Sequence, residues 1–78
     1  MSRSALVTAV YSGTFDPLTL GHEDAIRRAA QMFDQVIIAV ARAHHKNTLF
    51  TLDERLVLAQ AALADCPNVK AMPFDGLI

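Results

Sequence analysis

The sequence is poor in cysteine and has no excess of either charge. Cys66 is the single cysteine among 78 residues, so it can form neither an internal disulfide nor a cysteine-based zinc site. A reducing, cytoplasmic setting is therefore expected. The formal net charge is −1 with neutral histidines, which provides no overall field for nucleic acid or for an anionic membrane surface. Any anion that the chain binds must be held by a local arrangement of donors.

Long apolar runs are also missing, although apolar residues make up 53% of the chain. The longest runs, at residues 5–11 and 36–41, are far shorter than the roughly 20 residues that span a bilayer, so no membrane partner is expected. The apolar fraction is nevertheless high for a chain that exposes so much of its surface. It indicates that more chain or a partner covers some of the apolar area.

What is present is an alternation of strand and helix patterns. Apolar, β-branched runs at residues 6–10, 36–41 and 69–72 predict three strands. Apolar residues recur at helical spacing within residues 21–33 and 51–66, which predicts two helices between the strands. We therefore predict a Rossmann-like, doubly wound α/β fold with a parallel sheet, of which these residues form a β-α-β-α-β half.

Element boundaries carry their own signals. Thr51 and Glu54 form the Thr-x-x-Glu pattern of a capping box at the start of the second helix, which is predicted to end at residues 66–68. The run at residues 36–41 is apolar on both faces, which is typical of a central strand covered by helices on both sides. The first strand is predicted to be buried, and Pro73 is predicted to fix the exit of the third strand.

The loop after the first strand contains residue types that suit a phosphate. Gly13 is expected to let the backbone turn sharply, and Thr14 offers a hydroxyl and an amide N–H. Gly21 and His22 fall at the start of the next helix, where unpaired N–H groups and the helix dipole favour anions. An imidazole there can donate to a phosphoryl oxygen as charge builds in a transition state. The alternative is an ordinary strand–helix turn with Thr19 as the N-cap and a solvated His22.

Other polar residues have simpler interpretations. Asp16 is a turn-former by default, with support of the loop as the alternative. The adjacent His44 and His45 are interpreted as solvated loop residues, so no metal site is predicted. Taken alone, Lys46 is an ordinary surface lysine.

The string Gly-Thr-Phe-Asp-Pro-Leu-Thr-Leu-Gly-His, residues 13–22, resembles the signature of the HIGH superfamily of nucleotidyltransferases in its Thr-x-Gly-His form. Within that superfamily it is most similar to the phosphopantetheine adenylyltransferases. The resemblance continues without gaps through residues 31–34, Lys46 and residues 50–55. Thr19 stands where nicotinamide-mononucleotide adenylyltransferases and glycerol-phosphate cytidylyltransferases usually have a second histidine.

The resemblance implies a direct, in-line transfer of an adenylyl group from ATP to 4'-phosphopantetheine. The products are dephospho-coenzyme A and pyrophosphate, a step of coenzyme A biosynthesis. Because the substrate phosphate is the nucleophile, the family pattern implies no catalytic serine, cysteine or activating base. It implies Mg²⁺ carried with ATP, a cytoplasmic location and a homo-oligomer, which is a hexamer for the full enzyme.

The resemblance also implies roles for individual residues. His22 and Thr14 are expected to meet the α-phosphate of ATP, with His22 stabilising the transition state and the main chain at Thr14 and Phe15 contacting the nucleotide. Thr14 and Lys46 are expected to hold the phosphate of phosphopantetheine. The residues expected to line the pantetheine arm are Leu77 and Ile78, and those expected to shape the loop are Gly13, Asp16, Pro17 and Gly21.

Members of that family are longer, and their second half supplies an arginine-bearing loop and a serine-rich helix start that grip the triphosphate and adenine. The resemblance therefore implies that residues 1–78 are the N-terminal part of a single, truncated nucleotidyltransferase domain. Two alternatives remain open. One is an adenylyltransferase with another phosphate acceptor, such as nicotinamide mononucleotide or an alcohol phosphate. The other is an inactive fragment or a non-catalytic interaction module of the same fold.

Overall fold

The computed structural model describes residues 6–42 and 48–75, which form three strands and two helices. The strands are β1 (Thr8–Gly13), β2 (Gln35–Ala41) and β3 (Val69–Phe74), and the helices are α1 (Leu20–Met32) and α2 (Leu52–Ala62). All strand pairs are parallel, and β2 lies between β1 and β3. This architecture confirms the predicted β-α-β-α-β half of a Rossmann-like α/β fold.

Both helices pack on one face of the sheet. Alternate residues of a strand share a face, and on this face β2 places three side chains that are 0% exposed. Residues from both helices join them in one cluster. The central members of this core are Val36, Ile38 and Val40 of β2, Ile26 of α1, Ala59 of α2 and Leu63 just beyond it.

Neither α1 nor α2 packs on the opposite face of the sheet, where the small Ala39 of β2 is buried but larger neighbours on β1 and β3 are exposed. Val10 of β1 is 64% exposed and Met72 of β3 is 41% exposed, with the half-buried Ile37 of β2 beside Val10 in the register. The prediction of a buried first strand, and of a central strand covered by helices on both sides, is therefore wrong for this part of the chain. The chain crosses from β1 to β2 and on to β3 in one direction, so right-handed crossovers place both helices on the same side.

Helix α2 begins at its predicted cap, and α1 begins after the cap that was given above as the alternative. Thr19 caps α1 and Thr51 caps α2, and the side chain of each accepts a hydrogen bond from the backbone N–H three residues later. Helix α2 ends at Ala62, earlier than predicted. Leu63 leaves the helical conformation, and the N–H of Cys66 then bonds to the carbonyl of Leu63 at 2.9 Å, which forms a turn before the proline. No helix in the described parts of the chain is long and apolar enough to cross a membrane.

The outer side of β3 is partly closed. The hydrogen bonds to β2 use the backbone carbonyl groups of even-numbered residues. The backbone N–H and C=O groups of the odd-numbered residues of β3 therefore point away from β2, toward the outer edge of the sheet. Pro73 was expected to mark the exit of β3, but it lies inside the strand. Its nitrogen is on the outer edge, so the missing N–H costs no hydrogen bond with β2. Beside it, the Gln60 side chain of α2 accepts from the N–H of Ala71 at 3.0 Å and donates to the carbonyl of Val69 at 3.4 Å.

Arg27 joins the two helices at the surface. Its guanidinium donates to the carbonyl of Ala62 at 3.0 Å, to Asp65 at 2.9 Å and to Glu23 at 3.3 Å. The hydrogen bond from Arg27 holds the pKa of the Asp65 carboxyl below its usual value, and the same bond raises the pKa of Arg27. The contact therefore favours the charged form of both groups.

Replacing Leu63 by alanine is expected to lower the free energy of unfolding by about 2–5 kcal/mol, because it leaves a cavity in the core. Leu63 is 0% exposed, whereas Leu58 on the outer side of α2 is 41% exposed. Leu58→Ala is therefore the matched control, with an expected change within about 1 kcal/mol. Urea unfolding followed by circular dichroism measures both variants, and equal losses would contradict the core described above.

Candidate active site

The loops that follow β1 and β2 are joined at the carboxyl edge of the sheet. Asp16 lies in the loop at residues 14–19, and its carboxylate accepts hydrogen bonds from the backbone N–H groups of Leu49 at 2.5 Å and Phe50 at 2.8 Å. Hydrogen bonds to an ionised group are stronger than neutral ones, so two of them fix the neighbouring segment firmly against the first loop. Asp16 thus supports the loop after β2 as well as its own turn.

Arg55 of α2 is a buried charge beneath the same loop. The residue is 3% exposed. Its Nη1 donates to the carbonyl oxygens of Thr14 at 2.9 Å and Ala41 at 2.8 Å, and its Nε donates to that of Phe50 at 3.2 Å. None of these three acceptors is a carboxylate, so they do not neutralise the cation. The Asp16 carboxylate lies nearby, on the N–H of the same Phe50 whose carbonyl Arg55 binds.

Arg55 has no role in the family pattern above, yet the sequence contains a signal for it. Arg55 lies three residues after Leu52 and four before Ala59, which places a charged residue on the apolar side of the helix. A charge at such a position is almost never buried unless it is paired. The sequence could therefore have indicated a buried, hydrogen-bonded arginine, although not which carbonyls it binds.

The sharp turn in the first loop occurs at Phe15. Its φ is 50°, in the left-handed region that bulky residues rarely adopt, and neither Gly13 nor Gly21 has a positive φ. The expectation that Gly13 provides the turn is therefore wrong. Gly13 is the last residue of β1, and a Cβ added there would lie 3.1 Å from Cζ of the buried Phe15 ring. The glycine provides space for this ring.

His22 occupies the third position of α1 and is half-buried against aromatic rings. Its ring meets that of Phe15 edge-on, with centroids 5.1 Å apart, and lies 6.3 Å from that of Tyr11. The backbone N–H of Thr19 donates to Nδ1 of His22 at 3.1 Å. Because Nδ1 accepts this hydrogen bond, the proton of the neutral imidazole belongs on Nε2. The Nε2–H group is then a donor at the N-terminus of a helix, where anions are favoured.

Several predicted residues therefore lie together around one loop. Thr14, Phe15, Asp16 and His22 are linked by the contacts above, whereas Pro17 and Gly21 are exposed at its outer side. The predicted residues that lie outside the described ranges are His44, His45, Lys46, Leu77 and Ile78. Within residues 6–42 and 48–75, no group of three or more His, Cys, Asp and Glu side chains is arranged to hold a metal ion.

The sequence was compared with protein families and with known proteins. The sequence profile of the cytidylyltransferase-like family matches residues 10–78. The chain is 66% identical over 74 residues to a phosphopantetheine adenylyltransferase from Acidovorax sp. (strain JS42), with 95% of this chain and 45% of that protein covered. It is 58% identical over 69 residues to a protein of the same name from Methylobacillus flagellatus, with 88% and 43% covered. The chain thus spans less than half the length of these relatives, and their names confirm the resemblance inferred from the motif.

Solved structures show the same fold. A crystal structure of NadR protein in complex with NAD and AMP-PNP matches with a TM-score of 0.79 and 26% identity, over 91% of this chain and 21% of that one. A structure of NadR protein in complex with NR matches with a TM-score of 0.77 and 27% identity, over 87% of this chain and 19% of that one. The described elements therefore recur in proteins crystallised with nucleotides.

Gly13→Ala is expected to lower the free energy of unfolding by about 1–3 kcal/mol, because the new methyl group overpacks the buried Phe15 ring. Gly21→Ala is the matched control, since a Cβ there meets only Thr19 Oγ1 at an ordinary 3.8 Å. In the first turn of a helix, that change should be neutral or slightly stabilising. Chemical denaturation of both variants measures the difference, and a neutral Gly13→Ala would contradict the packing role.

The neutral side chain of His22 is expected to carry its proton on Nε2, because Nδ1 accepts from the Thr19 backbone. Two-dimensional ¹⁵N NMR of the imidazole distinguishes the two tautomers by the chemical shifts of the protonated and unprotonated nitrogens. A neutral ring protonated on Nδ1 would contradict the arrangement.

Proposed function

This chain belongs to the cytidylyltransferase-like family, and from that premise we propose that it forms the N-terminal part of a phosphopantetheine adenylyltransferase. The proposed reaction transfers an adenylyl group from ATP to 4'-phosphopantetheine and gives dephospho-coenzyme A and pyrophosphate. The observation that carries the proposal is the 66% identity, over 95% of this chain, with an Acidovorax protein of that name. The loop at residues 14–19 and His22 contain hydrogen-bond donors that the proposal assigns to the phosphates.

The proposed chemistry is a single in-line displacement. A phosphate oxygen of 4'-phosphopantetheine attacks the α-phosphorus of ATP and forms a new P–O bond. The bond from the α-phosphorus to the oxygen bridging to the β-phosphate breaks, and pyrophosphate leaves with the electron pair. The attacking oxygen is already anionic, so no protein base has to remove a proton. The protein therefore aligns the two phosphates and offsets the charge that repels them.

His22 is proposed to donate from Nε2–H to the α-phosphate as negative charge builds in the transition state. The hydrogen bond from Thr19 to Nδ1 supports this role, because it orients the ring and leaves Nε2 as the donor. Thr14 is proposed to contact both phosphates through its hydroxyl and main chain, and Phe15 to contact the nucleotide through its main chain. Lys46 is proposed to hold the acceptor phosphate.

The remaining parts of the proposal follow the family resemblance. Leu77 and Ile78 are proposed to line the pantetheine arm. Mg²⁺ is proposed to arrive on the triphosphate of ATP, where it would shield charge. Both carboxylate oxygens of Asp16 are already bonded to Leu49 and Phe50, and this fits an ion held by phosphate oxygens rather than by the loop. A cytoplasmic homo-oligomer, a hexamer for the whole enzyme, completes the proposal.

The first test is pyrophosphate release from Mg·ATP and 4'-phosphopantetheine. It uses the 78-residue chain, and the same chain joined to the remaining part of the Acidovorax relative. In whichever form is active, His22→Ala is expected to lower the rate on the order of 10²–10³-fold, because it removes one stabilising donor. Gln31→Ala changes an exposed residue of the same helix, so it is the control and should leave the rate unchanged.

The acceptor decides between the alternatives. Nicotinamide mononucleotide, the alternative acceptor named above, replaces 4'-phosphopantetheine in a parallel assay. Release only with the nicotinamide substrate would contradict the proposed acceptor. Silence of both the chain and the joined form would favour an inactive fragment or a non-catalytic module. Release that survives His22→Ala would contradict the proposed role of the imidazole.

A further inference from the structure

Within residues 6–42 and 48–75, the peptide between Thr14 and Phe15 has a partner for its carbonyl and none for its N–H. The Thr14 carbonyl accepts from Nη1 of the buried Arg55 at 2.9 Å. No acceptor among the described residues is bonded to the N–H of Phe15. The peptide is trans, so its carbonyl and its N–H point to opposite sides. The N–H of Phe15 therefore points away from the guanidinium.

Arg55 has the contacts needed to hold this orientation. The same Nη1 donates to Ala41 at the end of β2, and Nε donates to the carbonyl of Phe50. The residue is 3% exposed, so a rotation of the guanidinium would break bonds that water could not readily replace. The planar fork of an arginine holds several acceptors in fixed relative positions, which an ammonium group cannot do.

The backbone at Phe15 needs such an anchor. Its φ of 50° is unfavourable for an aromatic residue and persists only when the surroundings enforce it. The buried ring, packed over Gly13 and against His22, holds the turn from the side-chain end. The bond from Arg55 to Thr14 holds it from the peptide end. Strained backbone of this kind is often found where a main-chain group must be presented to a ligand.

We propose that Arg55 is a positioning residue that turns the peptide between Thr14 and Phe15, so that the N–H of Phe15 is presented to a phosphate oxygen of the nucleotide. The inference rests on the proposed function, and it adds to it a residue that does not touch the substrate. Arg55 acts through the Thr14 carbonyl.

The test is an NMR titration of the ¹⁵N-labelled 78-residue chain with Mg·ATP. In the unaltered chain, the amide signal of Phe15 and the signals of His22 are expected to shift. Arg55→Met should remove the shift of the Phe15 amide, while the shift of His22 remains. Arg27→Met is the matched control, because Arg27 also donates to a carbonyl, that of Ala62, but between the two helices. It should leave both shifts intact.

A second readout needs no nucleotide. The three-bond coupling between the amide and α protons, together with the carbon shifts, reports the φ of Phe15 in the free protein. The positive φ should be lost in Arg55→Met and retained in Arg27→Met. If Arg55→Met does not fold, Arg55→Lys replaces it. This variant keeps the charge but offers donors from one nitrogen only, so the Phe15 shift should be reduced without being abolished.

The outcomes separate the inference from the proposed function. A Phe15 shift that persists in folded Arg55→Met, or is undiminished in Arg55→Lys, would overturn the inference and leave the function standing. The inference would also be overturned, with the function left standing, if nucleotide shifted the signals of Thr14 and His22 but not that of Phe15 in the unaltered chain. No shift at any of these residues, in the 78-residue chain or in the joined form, would overturn both. Loss of the Phe15 shift together with its positive φ, with Arg27→Met unchanged, supports the inference.

Discussion

Strands of a parallel sheet end in loops whose backbone groups no neighbouring strand can pair, and such groups need partners when they are buried. Here two charged side chains supply these partners, one as a donor and the other as an acceptor. Arg55 donates to carbonyls, including that of Phe50, and Asp16 accepts the N–H of the same Phe50. Phe50 is thus held through both of its polar backbone groups. The position of Phe15, and through its ring that of His22, depends on this pair of contacts.

Under the proposed function, a nearly neutral chain has to attract an anion through local groups. The field does not come from the surface, since the formal net charge is −1. It would come from Arg55, which donates to three carbonyl groups, and from the N-terminus of α1, against the opposing charge of Asp16 in the same loop. Both act over short distances and in a poorly screened environment, so they act on a ligand that is already at the loop. The exposed ion pair between Arg28 and Asp24 of α1, by comparison, contributes little beyond local order.

Features that depend on local sequence were predictable. The caps at Thr19 and Thr51, the order of the elements and the parallel sheet follow from spacing and turn chemistry, and the structure confirms them. The exposure of β1 was not predictable, because an apolar strand has the same pattern whether or not something covers its second face. The end of α2 was missed because Leu63 continues the apolar spacing after the backbone has left the helix.

The site was only partly predictable for a similar reason. His22 could be placed at a helix start from the motif, but its tautomer depends on a hydrogen bond from Thr19 that spacing alone does not reveal. Gly13 was expected to turn the chain because glycine often does, whereas its actual role is set by an aromatic ring two residues later. Arg55 was missed because its acceptors come from three separate parts of the chain.

The two edge strands of the sheet are not equivalent, because in the part of the chain that the structure describes only one of them leaves its outer backbone groups open to a further strand. Along β3, Gln60 occupies outward-facing groups of Val69 and Ala71, and Pro73 has no N–H to offer. Along β1, residues 6–42 and 48–75 present no such obstruction, and the side chain of Val10 is exposed beside it. An added strand would therefore extend the sheet next to β1. A polypeptide paired with β1 would lie beside Gly13 and the loop that follows it. The edge at which the sheet can be extended is therefore also the edge next to that loop.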